Sequence, residues 1–372
     1  MTEALPADVF DTIAASAGAA ETRLDLSEEL ALLRAHGILR APLPMADGGD
    51  GLGTAPDGAL ACLALLRELG AANLSLARLV EGHINAVKLI ALYGASEARE
   101  PAFEAVRAGA LLGVWGADGA SPARLRADGD RFVLAGGKRY ASGLGSVTLA
   151  LVTAAMEDQE GPQLVLVPAD DPARADPAAW RQSGMRATLS GTYDLEGLPV
   201  AVEARIGEPG DFLREPAFEG GVWRYCAAHL GGAEALYGLL VQALRRRGRA
   251  NDPHQERRIS DAARACETAR LWIESAARRV EAEGTCPDPE GAAAYALMAR
   301  EATEEACLTV IDRVERGLGM MAFEHGDIER IRRDLSLFLR QAAPDAKRAR
   351  IARFLVADDP DGAGARPERE RR

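Results

Sequence analysis

The sequence predicts an α+β protein that is mostly α: an N-terminal α-helical domain over 1–110, a small middle β-barrel domain over 111–215 and a C-terminal four-helix bundle over 216–357. Three observations carry this. Apolar residues recur at helical spacing up to about Gly109, short β-type runs separated by Gly, Asp or Pro begin near Gly113, and long Ala-rich helical segments resume after Pro216. Residues 358–372 are rich in Asp, Pro, Gly and Arg and read as a disordered, solvated tail.

In the first part, Leu24, Leu26, Leu30, Leu32 and Leu33 lead to a break at Gly37, and a Pro/Gly-rich loop covers 42–53. Beyond it Leu60, Leu63, Leu65, Leu66 and Leu69 form one apolar face, and the run over 74–92 is apolar enough to be largely buried. The strand candidates are 114–115, 131–134, 146–153, 163–167, 193–195 and 198–202. Segments 128–130 and 135–138 read as hairpin turns, because Gly supplies the positive φ of tight connections. The last part divides into helical segments over 222–249, 255–283, 291–318 and 328–341, with small faces suited to close packing.

The chain has 372 residues, 48% hydrophobic and 27% charged, with a formal net charge of −12. Such a surface repels nucleic acid and anionic membranes. No apolar run approaches the roughly 20 residues of a membrane span, and the first residues lack the basic and apolar regions of an export signal, which points to the cytoplasm. Cys62, Cys226, Cys266, Cys286 and Cys307 form no C-x-x-C pair, and the five histidines show no ligand spacing. Neither a disulfide framework nor a metal site is expected.

Five segments, in order along the chain, carry a resemblance. Pro44-Met-Ala-Asp-Gly-Gly-Asp-Gly-Leu-Gly53 is similar to a Pro-x-x-x-Gly-Gly-x-Gly loop, and Gly129-Asp-Arg-Phe-Val-Leu-Ala-Gly-Gly-Lys138-Arg-Tyr140-Ala-Ser142 to a G-D-x-[YF]-x-[IL]-x-G-x-K-x-[WF]-[IV]-[ST] segment. Trp180 with Gly184-Met-Arg186-Ala-Thr188-Leu-Ser190, Arg313-Val-Glu-Arg-Gly317-Leu-Gly319 and Ile328-Glu-Arg-Ile-Arg-Arg333-Asp334 complete the set. Together they resemble the acyl-CoA dehydrogenase superfamily.

The resemblance implies a flavoprotein oxidoreductase that holds FAD non-covalently between the β-domain and the bundle. It also implies a homotetramer or homodimer whose neighbouring subunit completes the adenine end, a small-molecule substrate such as an acyl-CoA thioester, and an electron-transfer partner or flavin reductase. On it, Tyr140, Ala141 and Ser142 stand beside the isoalloxazine, while Trp115 and Ser121 belong to the loop that cradles the flavin pyrimidine. Arg249, Arg313, Gly317 and Gly319 fall at the pyrophosphate or adenine end. Arg214, Arg224 and Arg247 are cations available for CoA phosphates. On residue type alone Tyr140 is more often a packed strand aromatic, and Arg313 is equally a solvated helix charge.

Dehydrogenation of an acyl thioester needs a carboxylate that removes the α-proton. The resemblance places it in a Tyr-Glu-Gly-Thr turn eight or nine residues after the Arg-Asp pair, or immediately before an Arg at the start of the first bundle helix. Gln341-Ala342 fill the first position, and Trp223-Arg224 the second. The catalytic residue is thus unassigned. Glu219, one helical turn earlier, Glu81 and His83 are relocated candidates. A first-turn residue favouring the helix dipole is the commoner role for a Glu placed as Glu219 is, and a hydrogen-bonded core histidine the commoner outcome for His83. Three readings follow: an acyl-CoA dehydrogenase-like oxidoreductase acting on a CH–CH bond with a moved base, a flavin-dependent monooxygenase of the same superfamily, or a noncatalytic flavin-binding scaffold.

Overall fold

The computed structural model describes residues 6–282 and 286–358. The tail expected over 358–372 lies outside the described residues, apart from the backbone of Asp358.

Among the described residues five α-helices come first: α1 (Ala7–Arg23), α2 (Ser27–Ala35), α3 (Ala59–Ala72), α4 (Leu74–Tyr93) and α5 (Ser96–Arg107). Asn73 caps α4, its side chain accepting the N–H groups of Ser75 and Leu76 at 3.0 and 3.2 Å. Almost all of α4 is buried, including Glu81, His83 and Lys88. Those three ionisable side chains therefore need partners, and what they pair with decides the chemistry below.

Among the described residues ten strands follow: β1 (Leu111–Trp115), β2 (Arg124–Asp128), β3 (Arg131–Ala135), β4 (Gly137–Ala141), β5 (Val147–Met156), β6 (Gln163–Pro168), β7 (Ala175–Asp176), β8 (Gly191–Asp194), β9 (Leu198–Val200) and β10 (Arg205–Ile206). They form two sheets. One runs β10-β6-β5-β2-β3-β9, with β1 added in parallel on β5, and the other runs β4-β8-β7. The turn expected over 135–138 narrows to Gly136 (φ +83°), because Gly137 and Lys138 already belong to β4 and pair with β8. β2 was not among the expected strands. Only Leu125 of its five residues is buried, so it lacks the apolar alternation that would reveal it.

The bundle comprises α6 (Trp223–Arg246), α7 (Pro253–Val280), α8 (Pro289–Leu318) and α9 (Asp327–Phe338), and α10 (Pro344–Asp358) packs on α8. Two glycines fix the bundle to the first helices. A Cβ on Gly70 would stand 2.2 Å from the Ala228 carbonyl oxygen, and one on Gly231 would stand 1.9 Å from that of Arg67. α3 and α6 can approach this closely only without those side chains. One core runs through all three parts, from Ile13 and Leu66 through Trp115 and Val152 to Trp223, Ile273 and Val310.

Candidate active site

Residues 81, 85 and 88 recur at i, i+4 and i+7 along α4, so Glu81, Asn85 and Lys88 share one face. That face lines a cavity of about 220 Å³, closed elsewhere by Val114 of β1, Phe212 and Phe218, the start of α6, and the Gln341-Ala342 segment. Glu81 is spoken for: it accepts from Arg78 at 2.7 Å and from Asn85 at 2.5 Å.

Next to it lies a buried ionic cluster. Glu281, just past α7, accepts from Arg224 Nη2 at 2.6 Å and Trp223 Nε1 at 3.2 Å on one oxygen, and from Lys88 Nζ on the other. Arg224 also donates to the Gly53 carbonyl at 3.0 Å, so the Pro/Gly-rich loop is read by its backbone. Burial works to raise the Glu281 pKa, and the Arg224 and Lys88 cations outweigh it and hold the group below the usual carboxylate range. Burial, reinforced by Arg224, lowers Lys88 to about 8 against the opposing pull of Glu281.

Glu219 does line the cavity, but its carboxylate is engaged by α10, with Arg350 at 2.6 Å and Lys347 at 3.4 Å. His83 does not face the cavity at all. Its Nε2 lies 2.7 Å from the Leu39 carbonyl, and its Nδ1 accepts the Leu112 N–H at 3.0 Å. The donor at Nε2 and the acceptor at Nδ1 fix a neutral tautomer, and burial pushes the imidazole down to about 4. With both nitrogens holding α4 to β1 and the 39–41 segment, His83 is a framework residue rather than an acid or base.

On the other side of β1, Trp115 donates from Nε1 to the Ser142 carbonyl at 3.1 Å and packs against Tyr193. Ser142 Oγ accepts from Ser190 Oγ at 3.1 Å, which joins two of the motifs read from the sequence. Tyr140 is 45% exposed with φ +54°, a strained setting for an aromatic residue, and stands edge-on to Trp180 at 6.1 Å. Ala141 is buried beside it. Tyr140 and Ser142 are thus accessible while Trp115 and Ala141 are buried beneath them, and Ser121 stays on an exposed loop with its carbonyl accepting the Gly137 N–H.

A second cavity, of about 380 Å³, opens between the end of α6, the start of α7 and the end of α8, where Arg247, Arg249, Arg258 and Arg316 surround Gly317 and Gly319. Gly319 takes φ +62°, so backbone rather than side chain faces the opening. Arg249 is paired with Asp252 of the same wall at 3.2 Å and Arg316 with Asp312 at 2.7 Å, so Arg247 and Arg258, beside the bare backbone, are the guanidinium groups that could meet a pyrophosphate. Arg313 is not among them: it is paired with Asp261 at 3.0 Å and with Asp312. The three cations expected for CoA phosphates are scattered, since Arg214 is exposed and bound to Asp211, Arg224 is buried and Arg247 lies in the basic cavity.

Residues 216–340 match the family described as acyl-CoA dehydrogenase, C-terminal domain. The chain has an acyl-CoA dehydrogenase-like fold. The mitochondrial isobutyryl-CoA dehydrogenase of Dictyostelium discoideum is 25% identical over 337 residues, covering 84% of this chain and 77% of that protein. Among solved structures, FMN-bound dibenzothiophene monooxygenase TdsC of Paenibacillus sp. A11-2 superposes with a TM-score of 0.82 at 19% identity, covering 94% of this chain and 96% of that one. Methanesulfinate monooxygenase MsuC of Pseudomonas fluorescens gives 0.79 at 19% identity, over 97% and 96%. Among the described residues of this acyl-CoA dehydrogenase-like chain, no helix is long and apolar enough to cross a membrane.

Sequence reasoning missed Lys88 and Glu281. Lys88 was legible as the lone cation between Val87 and Leu89-Ile90, a position that buries it. Glu281 gave no such signal, because it follows a helix end where acidic residues are commonly solvated.

Proposed function

We propose that this chain is a flavin-dependent oxidoreductase that binds FAD and oxidises a small molecule by monooxygenation rather than by α,β-dehydrogenation of an acyl thioester. One observation carries the choice: neither expected carboxylate position presents a carboxylate to the cavity. Gln341 and Ala342 line it, and Trp223 is locked against Glu281. When bound and reduced, flavin supplies two electrons, and dioxygen gives one oxygen atom to substrate and the other to water. The chain's own part is to position. Tyr140 and Ser142, the latter held by the buried Trp115, offer an aromatic ring and a hydroxyl on one side of β1, and Val114 of the same strand faces the cavity on the other. The arginine-lined cavity suits the second phosphate of a dinucleotide supplied by a neighbouring subunit, which supports FAD over FMN. A homotetramer or homodimer, a flavin reductase as electron donor and a cytoplasmic location belong to the same reading. The similarity to two monooxygenases in fold supports it.

The second reading, acyl-CoA dehydrogenation with Glu219 or Glu81 as base, is favoured by both side chains lining the cavity and by the isobutyryl-CoA dehydrogenase relative. The test is to mix FAD-loaded protein with short-chain acyl-CoA under anaerobic conditions, and separately with dioxygen and a flavin reductase. Rapid anaerobic bleaching of the flavin would establish the dehydrogenase and overturn our choice. A protein that takes up no flavin would overturn both.

A further inference from the structure

Lys88 and Arg224 share a single carboxylate. Both oxygens of Glu281 are taken by these two cations and Trp223, so the cluster carries one unmatched positive charge. It is buried: Arg224 is 1% exposed and Lys88 9%. Nε of Arg224 has no hydrogen-bond partner, and Glu281 occupies one of the three N–H donors of the Lys88 ammonium. Both side chains line the cavity, and Arg224 sits in the first turn of the long helix α6, whose dipole adds positive potential. The other carboxylates on the wall are matched, Glu81 by Arg78 and Glu219 by Arg350 and Lys347. An unmatched buried charge is costly to fold around, and an anion in the cavity would offset it.

We propose that Lys88 and Arg224 anchor a carboxylate on the substrate, so that the cavity takes a small carboxylic acid whose hydrocarbon part lies against Leu89, Val114 and Phe218. That this acid is what the flavin oxidises rests on the function proposed above; its binding does not. The cavity of about 220 Å³ suits a short-chain occupant.

The test is calorimetric titration of the full-length, FAD-supplemented protein with butyrate, butyramide and propanesulfinate. Butyrate should bind at least roughly tenfold tighter than its neutral amide, as charge-assisted hydrogen bonds require. Lys88→Met should lose roughly tenfold or more for butyrate, while Lys88→Arg keeps most of the affinity. Equal binding of butyrate and butyramide by the unmodified protein, unchanged butyrate affinity in Lys88→Met, or no binding of any probe would each overturn the anchor. Tighter binding of propanesulfinate than butyrate would overturn the carboxylate assignment in favour of a sulfur oxyanion. FAD uptake, read separately from flavin absorbance, keeps the two proposals apart: Lys88-dependent butyrate binding without FAD uptake sustains the anchor and sinks the flavoprotein reading, and FAD uptake without butyrate binding does the reverse.

Discussion

The backbone N–H of Met185 donates to Oδ1 of Asp334 at 2.7 Å, joining two motifs that lie 149 residues apart in the chain. Arg333 strengthens the joint by donating to the Ser183 carbonyl at 2.7 Å and pairing with Glu21 at 2.7 Å. A Cβ on Gly184 would stand 2.9 Å from the Arg333 carbonyl oxygen, so glycine is needed there. The β-region and the bundle are thereby fixed against each other beside Ser142 and Ser190.

Burial pushes the Asp334 carboxyl up to about 6, only partly offset by the Met185 N–H and Arg333. The folded state therefore holds a proton that the unfolded state releases between about pH 4 and 6. Stability should fall as pH rises through that window, by about 3 kcal/mol from this group. Denaturant titrations of Asp334→Asn should show that component missing. An unchanged pH profile in the variant would refute it.

His83 and His229 act in the opposite sense. Burial lowers His83 to about 4 and, with help from Arg300, His229 to about 3. Each is neutral in the fold while its unfolded counterpart takes a proton below about pH 6.5, so stability is lost as pH falls from there towards their folded values. NMR of the imidazoles should find His83 neutral at pH 5.5. A midpoint near 6.5 would mean that its bonds to Leu39 and Leu112 are not made.

Glu281→Gln would leave Lys88 and Arg224 side by side with no anion. A loss of about 3–5 kcal/mol in unfolding free energy is expected, with much of it recovered in Glu281→Gln/Lys88→Met. Additive effects in the double variant would show that the two side chains do not interact.

Ala342→Glu returns a carboxylate to the cavity wall. If the pocket admits an acyl thioester, anaerobic flavin reduction should accelerate roughly 10²–10⁴-fold, the usual span of general-base catalysis. Equally fast reduction by the unmodified protein, abolished by Glu219→Gln, would identify Glu219 as the base instead.

Arg247→Ala and Arg258→Ala should weaken FAD by roughly tenfold each and leave FMN almost unaffected, since the basic cavity is proposed to meet only the dinucleotide's far phosphate. Equal losses for both cofactors would place the flavin phosphate elsewhere.

The order of helices, strands and bundle was legible in the sequence, because each depends on local periodicity and on Gly and Pro at the breaks. Gln341, Ala342 and Trp223 were legible too, because they are identities rather than arrangements. β2 escaped because one buried leucine makes no pattern. Pairing was decided by tertiary structure alone. His83 was open between a hydrogen-bonded core histidine, the commoner outcome, and a pocket acid or base until Leu39 and Leu112 took both its nitrogens, and Arg313 was open between phosphate ligand and helix charge until Asp261 claimed it. Lys88, one residue in an apolar run, gained its meaning only when folding placed Glu281, 193 residues away, and Arg224 beside it. Charge in a buried site is set by which groups share the space, and separation along the chain does not encode that.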